Sequence, residues 1–269
     1  MCGISGYMGK INFINTTQKI VKLTKIMKYR GPDGRGYYIN KIKNNCFLGF
    51  FHSRLSIIDP NPRSNQPFSD DEGIIIFNGM IYNYEKIRKE LQKLGKNFRT
   101  NSDTEVLLKF LNKYGPQKLH LLDGMWAFSY YNFKEKKLYV SRDRFGEKPL
   151  FYYKNSKNIV YGSNIEYILN IANKKFKIQK IMIENYLKFG FRSLFRNEGE
   201  KTFFKEIKFL EPGRYLEINE KLEVKNRIFW DPKKIDTKKF LSYSNEAKKL
   251  SDTYKNIIKE RMTSDFPVA

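Results

Sequence analysis

Four short runs of apolar and aromatic residues follow one another in the middle of the chain, and they constrain the fold more than any other feature. The runs WAFSYY, KLYVSRD, LFYYK and NIVYGS begin at residues 126, 137, 150 and 158, and short polar turns separate them. Runs of this length that are rich in β-branched and aromatic residues predict consecutive strands. Strands in series, with helices grouped elsewhere, indicate an α+β protein built in layers.

Helical patterns lie on either side of these strands. Apolar residues between Thr16 and Met27 fit one face of a helix. Asn83 is placed to cap a helix that runs to Leu94, and the sequence SDTE at 102–105 has the capping-box pattern that opens another. Further strands are predicted at 4–8, 46–51 and 73–77.

The character of the sequence changes after Phe209. The stretches EPGRYLEI and LEVKNRIF, at 211–218 and 222–229, predict a hairpin, and residues 246–262 place apolar side chains on one side of a helix. We expect a domain boundary near residue 218. Residues 1–218 would form the first domain, and residues 219–269 would form a linker and the helical start of a second, incomplete domain.

Composition narrows the class of protein. The formal net charge of +23 invites a nucleic-acid hypothesis, but the lysines are scattered along the chain and form no basic stripe, which disfavours it. No apolar run approaches the roughly 20 residues that span a bilayer, and the N-terminus lacks a signal-peptide pattern. The two cysteines, Cys2 and Cys46, argue against a disulfide scaffold. We expect a cytoplasmic protein without a membrane partner.

The position of Cys2 directly after the initiator methionine has two interpretations. A free cysteine is most often a small buried apolar residue. Removal of Met1 would instead give Cys2 both a thiol and a free α-amine on one carbon. With reference pKa values of about 8.5 and about 7.7–8.0, the two groups could exchange a proton near neutral pH.

Six motifs occur in order along the chain: MCGISG, RGPDGRG, HSRLSIIDP, NGMIYN, SDTE and RDRFGEKPL. Together they resemble the glutaminase domain of the glutamine-hydrolysing asparagine synthetases. This domain is a class II glutamine amidotransferase and one of the N-terminal-nucleophile hydrolases. The resemblance implies a four-layer αββα sandwich of two antiparallel sheets, and hydrolysis of L-glutamine to glutamate and ammonia.

The resemblance also implies catalytic roles. Cys2 would attack the amide carbon and form a thioester, with its own α-amine as general base. Asn78, through its side-chain amide, and Gly79, through its backbone N–H, would form the oxyanion hole. The pair Asn-Gly also suits a tight hairpin turn, which is the alternative interpretation.

Substrate-binding residues follow from the same resemblance. Arg54 would hold the α-carboxylate of glutamine and Asp103 its α-ammonium, while Leu55, Ser56, Ile57 and Ile58 would line the pocket. An edge strand with a solvated arginine is the alternative for RLSII, and a helix N-terminal acid is the alternative for Asp103. The family usually reads NGEIYN where this chain has NGMIYN, so Met80 replaces a second carboxylate and should either weaken glutamine binding or let the pocket accept a different amide.

Other residues are assigned to structure. Asp33 and the RDRFGEKPL motif, with Arg142, Asp143, Gly146 and Lys148, are expected to serve turns and domain contacts. Cys46 is expected to be an inert core residue. His52 and His120 lie in no catalytic or metal-binding pattern, so we expect no metal site.

The sequence ends at SDFPVA, where the family continues into an SGGLDS loop that binds ATP. We expect no cofactor in this chain, and ATP with Mg²⁺ only in the missing synthetase domain, which would amidate aspartate. The expected partners are L-glutamine, a synthetase domain or subunit that receives the ammonia, and a second copy of the chain in a homodimer. An amidotransferase of a cell-surface sugar pathway and a catalytically silent docking module are the alternatives.

Overall fold

Two antiparallel sheets stacked face to face form the centre of the protein. The structure is a computed structural model that describes residues 1–11, 17–43, 45–190, 194–196, 199–234 and 243–267. In this part of the chain, fourteen strands build an eight-stranded and a six-stranded sheet, and six α-helices accompany them. The predicted α+β architecture of two antiparallel sheets with flanking helices is confirmed.

The strands are β1 (Gly3–Gly9), β2 (Gly34–Lys43), β3 (Cys46–Arg54), β4 (Phe68–Ser69), β5 (Gly73–Ile81), β6 (Gly124–Asn132), β7 (Lys137–Arg142), β8 (Phe151–Lys154), β9 (Asn158–Gly162), β10 (Leu194–Arg196), β11 (Gly199–Lys201), β12 (Ile207–Phe209), β13 (Arg214–Ile218) and β14 (Val224–Ile228). The helices are α1 (Thr17–Met27), α2 (Tyr84–Lys93), α3 (Asp103–Tyr114), α4 (Ile165–Ala172), α5 (Lys180–Phe189) and α6 (Tyr243–Arg261). The first sheet has the order β10-β11-β12-β8-β9-β1-β3-β2, and the second has the order β14-β13-β7-β6-β5-β4.

Side-chain alternation along the strands creates three apolar layers. Ile4 and Met8 of β1 pack between the sheets together with Ile74 and Ile76 of β5. Tyr7 points to the opposite face of the first sheet, where it joins the cluster that includes buried residues of α1 and α4. Ile75, Phe77 and Ile81 of β5 join the cluster that includes buried residues of α2 and α3 on the outer face of the second sheet. The layers therefore follow the order helix, sheet, sheet, helix.

Strand register fixes where the N-terminus lies. Gly3 pairs with Ser53 in the antiparallel β1–β3 ladder, so Cys2 lies beside the end of β3 and the loop that follows it. β5 belongs to the facing sheet and carries Asn78 near its own end. The two sheets thereby bring the N-terminus of the chain close to residues 54–58 and residues 78–80.

The predicted C-terminal hairpin is confirmed, because β13 and β14 pair from Arg214–Ile228 to Ile218–Val224. The predicted domain boundary at residue 218 falls between the two strands, and β14 belongs to the same sheet as β13. The division into domains at that residue stays a prediction.

Helix predictions agree in position with small differences at the ends. Thr16, the first residue of the predicted N-terminal helix, lies outside the described residues. Asn83 precedes α2 as predicted, but its side chain does not cap the helix. Its amide nitrogen instead donates to the carbonyl of Leu121, and its amide oxygen accepts from the N–H of Asp123. No described helix combines the length and the apolarity needed to cross a bilayer.

Candidate active site

A small cavity lies where the ends of β1, β3 and β5 meet. Its volume of about 60 Å³ would hold roughly two water molecules. The residues that line it are Met1, Cys2, Arg54, Leu55, Ile57, Ile58, Gln66, Phe77, Asn78, Gly79, Met80, Ser102, Asp103, Thr104, Met125 and Lys148. All the residues predicted for catalysis and substrate binding are in this set except Ser56.

Cys2 lies half-buried at the wall of the cavity. Its Sγ accepts a hydrogen bond from the N–H of Leu55 at 3.3 Å, and its carbonyl accepts one from Nε of Arg30 at 3.0 Å. Burial raises the pKa of the Cys2 thiol, while the Leu55 N–H and the nearby terminal amine act against that shift. Cys46 differs, since it is buried among apolar side chains between the sheets, and its expected place in the core is confirmed.

Asn78 and Gly79 lie inside strand β5, so the hairpin-turn interpretation of Asn-Gly is wrong. Asn78 pairs with Ala127, and Gly79 pairs with Trp126. Asn78 is 1% exposed, and its Nδ2 is buried without a hydrogen-bond partner while it lines the cavity. A buried N–H₂ group without a partner is costly, and such a donor is the kind of group that an oxyanion hole supplies.

Close approach of the backbone explains the glycine beside Asn78. A Cβ atom at Gly79 would lie 2.1 Å from the carbonyl oxygen of Met125 on β6 and 2.8 Å from Phe77. Carbonyl oxygen is part of the sheet backbone and cannot move aside, so a larger residue would displace the strand that carries Asn78.

Asp103 is the first residue of α3 and lines the cavity with 6% exposure. Its Oδ2 accepts a hydrogen bond from the N–H of Ile81 at 3.1 Å. Burial raises the pKa of Asp103 to about 6, and the backbone hydrogen bonds and Arg54 act in the opposite direction. Asp103 is therefore both an acidic residue at the N-terminus of α3 and a carboxylate in the cavity wall.

The predicted capping box at the start of α3 is half formed. Ser102 Oγ accepts from the N–H of Glu105 at 3.3 Å, as expected. The carboxylate of Glu105 does not return to the Ser102 backbone; it accepts instead from the N–H and the hydroxyl of Thr100, each at 2.7 Å.

Arg54 is buried with 5% exposure at the end of β3, so the solvated-arginine alternative is wrong. Its two terminal nitrogens donate four hydrogen bonds, and these go to acceptors of the following loop: the carbonyls of Ile58, Asp59 and Asn61 and the side chain of Asn65. Each terminal nitrogen carries two hydrogens, so all four are used and Nε remains. The residues after Arg54 form a loop, and the edge-strand alternative is also wrong.

The loop of residues 55–59 is fastened on two further sides. The N–H of Ser56 donates to the carboxylate of Asp33 at 2.7 Å, which agrees with the structural role expected for Asp33. Asp265 lies after α6; its N–H donates to the carbonyl of Ile57 at 3.0 Å, and its Oδ2 accepts from the N–H of Asp59 at 2.6 Å.

The sequence predictions missed several lining residues. Gln66 supports the neighbourhood of Asn78, because its Oε1 accepts from the N–H of Phe77 at 2.6 Å and its Nε2 donates to Thr104 at 3.2 Å. Lys148 was assigned to structure, yet its side chain is buried at the cavity wall with Nζ 3.5 Å from the sulfur of Met1. The RDRFGEKPL motif marked the position of Lys148, but no local pattern indicated where its side chain would lie.

His52 is buried and hydrogen-bonded to the backbone of the facing sheet. His52 Nε2–H donates to the carbonyl of Phe77 at 3.2 Å, and burial lowers the pKa of His52 to about 3, so it is neutral at physiological pH. Among the described residues, no group of three or more His, Cys, Asp and Glu side chains could hold a metal ion.

Comparison with known families identifies a match over most of the chain. The family model described as "Glutamine amidotransferase domain" matches residues 1–230. A provisionally named asparagine synthetase [glutamine-hydrolyzing] 2 of Methanocaldococcus jannaschii is 34% identical over all of this chain and 53% of its own length. Asparagine synthetase [glutamine-hydrolyzing] 1 of Bacillus subtilis is 32% identical over all of this chain and 41% of its own length. The chain thus spans about half of these relatives or less.

Solved structures support the fold. Glutamine phosphoribosylpyrophosphate amidotransferase of B. subtilis superposes with a TM-score of 0.59 over 85% of this chain and 49% of its own, at 19% identity. This likeness shows the arrangement of two facing sheets with outer helices. Neither the sugar-pathway enzyme nor the silent docking module is favoured by the comparisons.

Proposed function

The chain belongs to the glutamine amidotransferase family, and from this premise we propose that it hydrolyses the side-chain amide of L-glutamine through a thioester on Cys2. The observation that carries the proposal is the shared cavity: the Cys2 thiol and the unpartnered amide of Asn78 line the same space. A nucleophile and a fixed donor for the oxyanion are the two groups that amide hydrolysis requires.

Removal of Met1 is the first step of the proposal. With Met1 in place, the nitrogen of Cys2 is part of a peptide bond and cannot act as a base. The Met1 side chain also lines the cavity, whose remaining volume of about 60 Å³ leaves room for little besides water. Its removal both enlarges the cavity and creates the α-amine beside the thiol.

The reaction then needs no further side chain for proton transfer. The α-amine takes the proton of the Cys2 thiol, and the thiolate attacks the amide carbon of glutamine. Asn78 Nδ2 and the Gly79 N–H stabilise the oxyanion of the tetrahedral intermediate. The protonated amine gives its proton to the leaving nitrogen, which departs as ammonia and leaves a thioester. Water, deprotonated by the same amine, hydrolyses the thioester to glutamate and restores the thiol.

Substrate recognition is divided between charge and backbone. Asp103 would accept the α-ammonium of glutamine, because it is the cavity's buried carboxylate. Arg54 would attract the α-carboxylate through its charge and Nε, since its terminal nitrogens already hold the loop. Leu55, Ile57 and Ile58 would form the wall along the substrate, and Met80 would contribute an apolar contact. Ser56 would support this wall from outside the cavity, because its N–H donates a hydrogen bond to Asp33.

The fate of the ammonia extends the proposal to the whole protein. Two of the relatives are named glutamine-hydrolysing asparagine synthetases and continue well beyond the matched region. We propose that the ammonia passes to a synthetase domain or subunit that amidates aspartate with ATP and Mg²⁺, in the cytoplasm. A homodimer stays a prediction.

Intact-mass analysis after treatment with a diazoketone analogue of glutamine tests the proposed chemistry. We expect the mass of the chain without Met1 plus a single adduct, which peptide mapping places on Cys2. Cys46→Ser should be labelled to the same extent, and Cys2→Ser should not be labelled. An adduct on Cys46, or full glutaminase activity with Met1 retained, would overturn the mechanism.

A further inference from the structure

Lys148 places a positive charge in the wall of the candidate active site. It lies in the loop between β7 and β8 and is 7% exposed. Its backbone is held on both sides, since its N–H donates to Asp143 Oδ2 at 3.0 Å and its carbonyl accepts from Arg142 Nε at 2.9 Å. The fold therefore fixes the backbone from which the Lys148 side chain extends to the cavity wall.

In the described part of the chain no carboxylate forms a close ion pair with Lys148; burial lowers the pKa of its ammonium, and the more distant charges of Glu147 and Asp143 act against that shift. Within the described residues, the hydrogen-bond contact of Nζ is the sulfur of Met1 at 3.5 Å, and no carboxylate lies within ion-pair distance. The neighbouring carboxylate of Asp143 is occupied by backbone N–H groups of Trp126, Phe145, Glu147 and Lys148. Buried ammonium groups are normally paired because an unpaired one is costly. The protein bears the free-energy cost of this unpaired ammonium in the same cavity as Cys2. Removal of Met1 would also remove the contact between Nζ and the Met1 sulfur.

We propose that the Lys148 ammonium keeps the α-amine of the processed Cys2 in its uncharged form, so that the amine can serve as the base at neutral pH. This inference rests on the proposed glutaminase function. Lys148 acts through the amine and not on the substrate, so it is a positioning residue for the proton. Two positive charges close together are unfavourable, and the α-amine, with a reference pKa of about 7.7–8.0 against about 10.4 for lysine, is the group that loses its proton to water first.

The charges around the terminus agree with this role. Burial lowers the pKa of the Met1 terminal amine, and Arg30 and Lys148 lower it further, whereas the Cys2 thiolate and Asp33 raise it. Asp103 and Arg54 also act on the Cys2 thiol, where the carboxylate raises its pKa and the guanidinium lowers it. Removal of Met1 moves the amine by one residue, about 3.8 Å along the chain, to Cys2, which lines the same cavity as Lys148.

Lys148 is the cation that can be tested cleanly. Arg30 donates a hydrogen bond to the Cys2 carbonyl, so its replacement would also disturb the nucleophile. Lys148 makes its protein hydrogen bonds through its backbone, apart from the contact to Met1. Lys148→Met keeps the length of the side chain and removes the charge, and Lys148→Arg keeps the charge.

The experiment measures kcat/KM for glutamine hydrolysis, and the rate of Cys2 labelling by the diazoketone analogue, between pH 5.5 and 9. In Lys148→Met, we expect the acid limb of both profiles to move up by about one pH unit, which is roughly a tenfold loss below the limb and a small loss at pH 9. Lys148→Arg should keep the wild-type limb. If Lys148→Met does not fold, Lys148→Gln carries the same test.

The outcomes separate this inference from the proposed function. An equal loss at every pH, an unshifted limb, or the same shift in Lys148→Arg would overturn the role of the charge while Cys2 labelling in the wild type still supports the glutaminase. Absence of both turnover and Cys2 labelling in the wild-type chain would instead overturn the proposed function itself.

Discussion

Replacing Asn78 should separate activity from stability, because its amide nitrogen is buried without a partner before any substrate binds. The change is Asn78→Leu, which keeps most of the volume and removes the donor. Loss of one oxyanion donor costs about 2.7–4 kcal/mol in the barrier, so kcat should fall roughly 100- to 1000-fold while KM changes little.

The stability of the same variant should move in the other direction. A buried polar group that makes no hydrogen bond costs about 1–3 kcal/mol, and an apolar side chain of similar shape avoids this cost. For a chain of this size, each recovered kcal/mol raises Tm by roughly 2–4 °C. Asn78→Leu should therefore melt at the wild-type temperature or a few degrees above it.

The assays are glutamate release for kcat and KM and a thermal melt of the full chain. Asn83→Ala is a matched control, because the Asn83 amide is bonded at both ends, to Leu121 and Asp123, outside the cavity. It should lose Tm and keep kcat. A kcat for Asn78→Leu within tenfold of wild type, or a Tm several degrees lower, would refute the assignment of this amide to the oxyanion.

Three further changes test the rest of the site. The pKa of Asp103 is about 6 in the folded protein against an ordinary 3.8, so between about pH 4 and 6 the native state holds a proton that the unfolded chain has lost, and the Asp103 contribution to stability falls as pH rises. Urea unfolding from pH 4 to 7 should therefore show Asp103→Asn gaining up to about 3 kcal/mol relative to wild type. Stability curves that stay parallel over this range would contradict this. Met80→Glu should lower KM for glutamine by adding a carboxylate near Asp103, whereas Met80→Gln should not; equal KM values in kinetic assays would argue against an ammonium site there. Gly79→Ala should lower both Tm and kcat, since its Cβ would lie 2.1 Å from the Met125 carbonyl oxygen; wild-type melting and turnover would rule out that steric conflict.

Strands and helices could be predicted from the sequence where the pattern is local. The runs from 126 to 163 became β6 to β9 because alternation and short turns leave few other ways to bury their aromatic residues. The Ser102 cap of α3 was predicted for the same reason, since the bond joins residues three positions apart.

Contacts between distant residues could not be predicted in the same way. Asn83 has a good capping side chain, but a tertiary contact to Leu121 and Asp123 competes for it. Arg54 could be placed near the site from its motif, yet the four acceptors that occupy its guanidinium depend on how the loop after it folds back. The burial of Lys148 depends on the packing of the N-terminus against the loop after β7, which no local pattern records.

The hydrogen bonds of Asp265 have a practical consequence for anyone who wishes to produce the glutaminase alone. Asp265 lies 206 positions after Asp59 and yet forms hydrogen bonds with Ile57 and Asp59 in the loop beside the candidate active site. Shortening the gene to the region that the family model matches, residues 1–230, would remove these two hydrogen bonds, each of which stabilises the loop by about 1 kcal/mol. A recombinant version that keeps residues up to 267 retains these hydrogen bonds. Comparing KM for glutamine between the two lengths would show how much the segment after residue 230 contributes to substrate affinity.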